Sequence, residues 1–239
     1  MIIYQSNTFT SETNLVVTAI YGTHHILEVQ HTEEKEIHQV AQFSLTEWKS
    51  DSHKIHTIQT NTSFEALPSS LAEENLVSAI GSVLNSERKS NKTTLSDFTI
   101  LFDVADAHTG KPIILSESHL AALLIEKSMK SAEKGTDLLS ISIWDHGIFL
   151  ALIQNEQLIN CNRFDCADAA EAMYYTMLFV QEYDLNQETL NCNVYGDISA
   201  TGTFGSELKQ YIRNVNINRK GILPSIDIDG VLSLIFDTI

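Results

Sequence analysis

Apolar residues along this chain fall into short runs that come in a fixed order. "LVVTAI", residues 15–20, is followed by a turn at Tyr21–Thr23, the run "HILEV", the acidic turn "TEEKE" and a third run near "IHQVAQF". Short runs rich in β-branched residues and bounded by turn residues predict strands, and three in succession predict an antiparallel meander. From Leu138 the same order returns as "LLSISI", the turn "WDHG", "IFLALI", the turn "QNEQ" and "LINCNRF". Laid one on the other, Leu15 meets Leu138, Ile20 meets Ile143, Tyr21 meets Trp144 and Leu27 meets Leu150. Phe43 meets Phe164 once two extra turn residues are allowed.

Each meander leads into alternating strand and helix signals. In the first half these are the strand "KIHTIQT", the helix-like "SLAEENLVSAIGSVLN", the strand "DFTILFDVA" and the helix "SESHLAALLIEKSMKSAEK". In the second half they are the helix "DAAEAMYYTMLFVQEYD", the strand "LNCNVYG" and the helix "SELKQYIRNV". The polar run "NSERKSNKTTLSD", residues 85–97, is expected to be a loop inside the first half. A meander followed by strand and helix alternation is the order of a ribonuclease-H-like unit. The expected fold class is therefore α/β, an actin-like ATPase fold of two tandem ribonuclease-H-like lobes that each open with a three-stranded antiparallel meander. Lobe boundaries are expected at residues 1–134 and 135–239.

The stretches "FEALPSSLA", "INCNRF", "AMYYTMLFVQEYDL", "VYGDI" and "ELKQYIRNV" together resemble an uncharacterised bacterial family. That family is a domain of unknown function assigned an actin-like ATPase fold, similar in shape to pilus-assembly members of the superfamily. The resemblance runs from about Leu15 to Val215 and is strongest between Cys161 and Val215. It implies the fold and brings no activity with it, because fold alone does not license one.

Composition narrows the function classes. Fifteen Lys and Arg against thirty-one Asp and Glu give a formal net charge of -16, a field that repels a phosphate backbone. A nucleic-acid partner is not expected. The three cysteines, Cys161, Cys166 and Cys192, show no CxxC spacing and suit a reducing compartment, and no apolar run reaches membrane-spanning length. A cytoplasmic protein without a membrane anchor is the expectation.

Actin-like ATPases hold nucleotide phosphates between two hairpins, one per lobe, whose backbone N–H groups converge on the anion. By position, the candidate cofactor-binding residues are Gly22 and Thr23 in the first hairpin, Asp145 and Gly147 in the second, and Gly196 and Asp197 at the turn expected under the adenosine. The first hairpin, "YGTH", lacks the Asp that working members of the superfamily carry there. The second runs from Gly147 straight into Ile148 and Phe149, which leaves few residues for a loop around a phosphate. Both are read as tight turns, since Asp and Gly are common turn residues.

Other chemistry is thin. Asp145, Glu171 and Asp197 are a conceivable two-metal set, but Glu171 has a plainer role three residues after Asp168, as the far end of a helix capping box. His24 and His25 are adjacent on a strand and point to opposite faces, and His53 and His56 lie in a polar segment with no predicted helix. "HTGKP" lacks the earlier glycine of a phosphate-binding loop, and Ser116, Ser118 and His119 lack a glycine elbow. Cys161 lies within an apolar strand. No catalytic residue, metal site or cofactor is assigned.

The expected function is a non-catalytic binding or scaffolding protein on a degenerate actin-like ATPase fold, with a protein partner or self-association. The alternative is a nucleotide-binding (ATP) switch of the same fold. On the helix of residues 168–184, Ala169, Met173, Thr176, Val180 and Tyr183 form a stripe for the core. Tyr174 and Leu178 sit opposite, among Glu171, Gln181 and Glu182, and mark either a docking patch or a face covered by the C-terminal "GVLSLIF".

Overall fold

The structure is a computed structural model that describes residues 1–6, 15–49, 54–61, 63–71, 90–95, 97–104, 113–196, 198–218 and 229–236. The chain divides into two units, Met1–Ala122 and Leu123–Ile239. The expected helix over 70–85 lies outside the described residues from 72 onward, as do His53, all of "HTGKP" and Asp197.

In the first unit, β1 (Ile2–Gln5), β2 (Val16–Tyr21), β3 (His25–His31), β4 (Ile37–Ser44), β5 (Lys54–Gln59) and β9 (Ile113–His119) form one sheet in the order β1-β4-β3-β2-β5-β9. The pairs β2/β3 and β3/β4 are antiparallel, while β2/β5 and β5/β9 are parallel. β6 (Phe64–Pro68), β7 (Ser90–Thr94) and β8 (Phe98–Asp103) make a second, antiparallel sheet in the order β6-β8-β7. Val17, Ala19, Tyr21, Ile26, Trp48 and Ile55 pack into one buried cluster.

Helix α1 (Leu120–Ser131) begins at the end of the first unit and runs into the second. There β10 (Asp137–Trp144), β11 (Gly147–Gln154), β12 (Gln157–Asp165), β13 (Asn191–Gly196) and β14 (Asn214–Ile217) form a sheet in the order β12-β11-β10-β13-β14. β10/β11 and β11/β12 are antiparallel, and β10/β13 and β13/β14 parallel. In each unit the first meander strand is therefore flanked by its hairpin partner on one side and a parallel strand on the other. Helices α2 (Ala169–Glu182) and α3 (Ile198–Leu208) bury Ala172, Phe179, Val180, Phe204 and Leu208 against Leu139, Ile141, Leu150 and Val194. α4 (Asp229–Phe236) packs on β10 and β13 with Val231, Leu232, Leu234 and Ile235 buried. Burying each such side chain contributes roughly 1.5–3 kcal/mol.

Three local expectations are corrected. Ser90–Thr94 lies in the run expected to be a loop, yet forms β7, because pairing with β8 supplies the ladder that its polar residues do not announce. Ser116–His119 belongs to β9 rather than to the following helix, held by parallel pairing with His56–Gln59 of β5. The helix expected at 206–215 instead spans Ile198–Leu208, and Asn214–Ile217 is the edge strand β14. Of the two readings of the outer face of α2, α4 does not supply the cover: Tyr174 and Leu178 are 62% and 42% exposed.

Candidate functional site

The stretch "WDHG" is a two-residue hairpin. Trp144 pairs with Gly147, and Asp145 and His146 both take left-handed backbone, φ 48 and 56. Two successive left-handed residues make the turn whose twist matches that of the flanking strands. The His146 carbonyl accepts a hydrogen bond from the Cys166 N–H at 2.8 Å, which ties the turn to the end of β12.

Gly147 is pressed from one side by Arg163. A β-carbon at Gly147 would lie 2.6 Å from Arg163 Nη2 and 2.8 Å from its Cζ. The guanidinium is buried, stands 5.5 Å from the centre of the Phe149 ring, and donates from Nη1 to the exposed carboxylate of Asp165. Its Nε is buried with no partner among the described residues. The second hairpin thus carries a cation packed against its glycine.

Gly196 ends β13 at the same end of the sheet, opposite Ile143 in the ladder. Its φ of +132 is open to glycine, and a β-carbon there would stand 2.2 Å from the Ile143 carbonyl oxygen. Asp145, Gly147 and Gly196 therefore share one end of the second sheet, with α3 starting two residues beyond Gly196.

Gly22 and Thr23 lie in the first unit, in the β2–β3 turn. The Gly22 N–H donates to the His25 carbonyl at 2.8 Å, closing the turn, with Thr23 and His24 exposed at its tip. The base of the hairpin is aromatic and buried. Tyr21 meets Trp48 edge to face at 5.9 Å, and the Thr60 hydroxyl donates to the Tyr21 carbonyl at 2.6 Å. Burial and, second, the Glu117 carboxylate hold the Tyr21 hydroxyl above its ordinary pKa.

Several polar groups of this unit are fixed structurally. Trp48 Nε1 donates to Glu28 Oε2 at 2.8 Å, and Gln30 Nε2 donates to Glu28 Oε1 at 2.8 Å. His119 receives the Ala121 N–H on Nδ1 at 3.2 Å and gives its Nε2 proton to the Asn61 carbonyl at 3.1 Å. That pattern fits a neutral ring capping α1, which lies against Phe64 and Phe102. His56 Nδ1 meets the Ser116 hydroxyl at 2.6 Å. Burial pushes the Cys166 thiol up to about 11 and raises Cys192 further, which keeps both protonated near neutral pH. Among the described residues, no group of three or more His, Cys, Asp and Glu gathers as metal ligands would. No helix among them is long and apolar enough to cross a membrane.

Sequence reasoning missed Arg163. Its clue is the "NE" turn, where Asn155 and Glu156 are left-handed and join β11 to β12, which sets a starting register for counting across the hairpin. A register shift between Leu152 and Ile153 then turns Arg163 toward Phe149, and nothing in the composition marks it.

Comparisons with known proteins bear on the fold. Residues 115–215 match the model of a family described as protein of unknown function (DUF3822). The fold is that of actin-like ATPases. A Bacteroides thetaiotaomicron VPI-5482 protein with actin-like ATPase fold and unknown function superposes with a TM-score of 0.73 at 18% identity, over 96% of this chain and 99% of that one. A chain of the PilM-PilN type IV pilus biogenesis complex superposes with a TM-score of 0.55 at 9% identity, over 92% and 96%. No curated protein matches the chain.

Proposed function

Starting from the actin-like fold, we propose that this protein is a non-catalytic binding or scaffolding module built of two ribonuclease-H-like lobes, and that it works through protein contacts. The observation that carries this is the second hairpin. A phosphate-binding hairpin presents several N–H groups around an open concavity. Here the turn has two residues, its His146 carbonyl is bonded to Cys166, and the guanidinium of Arg163 fills the space on Gly147. The first hairpin supports the same conclusion, because Gly22–His25 contains no carboxylate to hold magnesium. A structure of the same fold is a complex, PilM with PilN, so the architecture is suited to serve as a platform for a partner.

The second reading is a nucleotide-binding switch. It draws on the grouping of Asp145, Gly147, Gly196 and the start of α3 at one end of the second sheet, since open α/β sheets bind ligands at the carboxyl ends of their strands. Thermal melts with and without MgATP decide between the two. A ligand at 100 times its Kd adds about 2.7 kcal/mol to stability. The expected result is an unchanged Tm and no hydrolysis above background. A rise of several degrees that disappears in Asp145→Ala would overturn the scaffold and establish the switch.

A further inference from the structure

We infer that the outward face of α2 is a docking groove for a basic, amphipathic segment of a partner protein, which rests on the scaffold reading and names its partner's chemistry. Tyr174 and Leu178, one helical turn apart, stand on the solvent side of α2 at 62% and 42% exposure. With Met177, Gln181, Asp184 and Leu185 they line a groove of about 440 Å³. Walls that mix apolar side chains with Gln181, Asp184 and Gln187 suit an amphipathic helix, whose apolar anchors meet the first and whose polar flank meets the second.

Tyr174 is braced for contact. Its ring meets Tyr175 edge to face at 5.3 Å, and Tyr175 stacks on Phe164 at 4.6 Å with the planes 10° apart. An aromatic already held in place loses little rotamer freedom on binding, and its open π face attracts Arg or Lys.

Charge selects the occupant. The stretch 164–208 contains eight Asp and Glu and no Lys, Arg or His. Around the groove, Glu182 and Asp184 are exposed and have no ion pair among the described residues. Glu171 is turned to the Ala167 N–H at 2.7 Å, and Glu188 pairs with Arg213 at 3.4 Å, so these two are already engaged. A second copy of the chain would bring this acidic face against itself in an isologous dimer, and like charges at an interface oppose binding. An acidic peptide or a nucleic acid meets the same repulsion. Apolar anchors flanked by Lys or Arg satisfy both the walls and the rim.

The test is fluorescence anisotropy of the full chain against a labelled amphipathic helix of Leu and Arg, at physiological salt. A helix of the same pattern with Glu in place of Arg is the control. The Leu/Arg helix should bind, and Leu178→Asp should weaken it at least ten-fold although the substitution adds a negative charge. Tyr174→Ser should weaken it without altering charge, and both variants should keep a cooperative melt because both positions are exposed. Equal or tighter binding by Leu178→Asp would show diffuse attraction to an acidic protein and overturn the inference. No binding, or equal binding of the Glu helix, would overturn it as well. So would a concentration-dependent dimer in sedimentation that Leu178→Asp abolishes, which would assign the groove to a second copy. Neither variant touches the hairpins, so a failure here is distinguishable from an MgATP-dependent melt that removes the scaffold reading.

Discussion

The guanidinium of Arg163 lies directly over Gly147, with Nη2, Cζ and Nε at 2.6, 2.8 and 2.9 Å from where a β-carbon would sit. A glycine at this hairpin, which in an ATPase leaves room for phosphate, here leaves room for a side chain of the same protein. The contact also buries a positive charge whose carboxylate partner, Asp165, is 76% exposed.

Coupling between these two residues is measurable by a double-mutant cycle. Gly147→Ala puts a methyl against the guanidinium, the far end of a flexible side chain that can shift, so the substitution should cost about 1 kcal/mol, the low end for overpacking. In an Arg163→Ala background the methyl has space, so the same substitution should cost about 1 kcal/mol less. Urea melts of the four proteins give the coupling. Equal costs in both backgrounds would mean that the guanidinium is not seated there.

Gly196→Ala should be more damaging. The φ of +132 strains any residue with a β-carbon, and the atom it meets is the Ile143 carbonyl oxygen at 2.2 Å, a backbone group in the central strand of the sheet. Strain and clash together should cost about 3 kcal/mol or more, or abolish the cooperative melt of the second unit. Calorimetry reads this as a fall in Tm well beyond that of Gly135→Ala, since Gly135 has positive φ but nothing within 4 Å of its added methyl.

The cap of α2 is the third test. Asp168 accepts the N–H groups of Ala170 and Glu171, each at 2.9 Å, while Glu171 accepts that of Ala167 at 2.7 Å. Asp168→Ala should cost about 1 kcal/mol and Asp168→Asn much less, because Asn caps as well. Urea midpoints with an unchanged m-value are the expected readout.

His31 gives a pH dependence. It is buried, donates from Nδ1 to the Thr32 carbonyl at 2.7 Å, and so meets the Thr18 hydroxyl through a neutral Nε2 at 2.9 Å. Burial lowers its pKa below the ordinary 6.5, despite the favourable contact with Thr32, and His56 and Lys35 lower it further. The unfolded chain therefore binds more protons than the folded one as pH falls through 6.5. The stabilisation is fully present above that pH and is lost as pH drops through the folded value. His56, also lowered by burial, adds in the same direction. Denaturation midpoints should fall between pH 7.5 and 5.5, and the fall should be shallower in His31→Gln than in the parent protein. An identical slope in the variant would remove His31 from the account.

Local periodicity is legible in the chain without its fold. Alternation in "LLSISI" and "IFLALI" marks β10 and β11, the "DH" pair marks the turn between them, and the spacing of Asp168 and Glu171 marks the start of α2. These signals are readable because each depends on residues a few positions apart, through the pleat, the turn dihedrals and the cap. Pairing between distant segments sets the rest. The α3 segment "ISATGTFGSEL" carries two glycines, each costing a helix about 1 kcal/mol, and one of them, Gly205, gives Ile217 of β14 its seat, 2.4 Å from where a β-carbon would stand. Ser90–Thr94 becomes a strand only because β8 lies beside it. The face on which Arg163 emerges depends on the shift between Leu152 and Ile153. Without it Arg163 would oppose Ile148, on the side of α2 and α3, instead of Phe149. A one-residue change of register moves every later side chain to the other face, and register is set by pairing between segments, not by either segment alone.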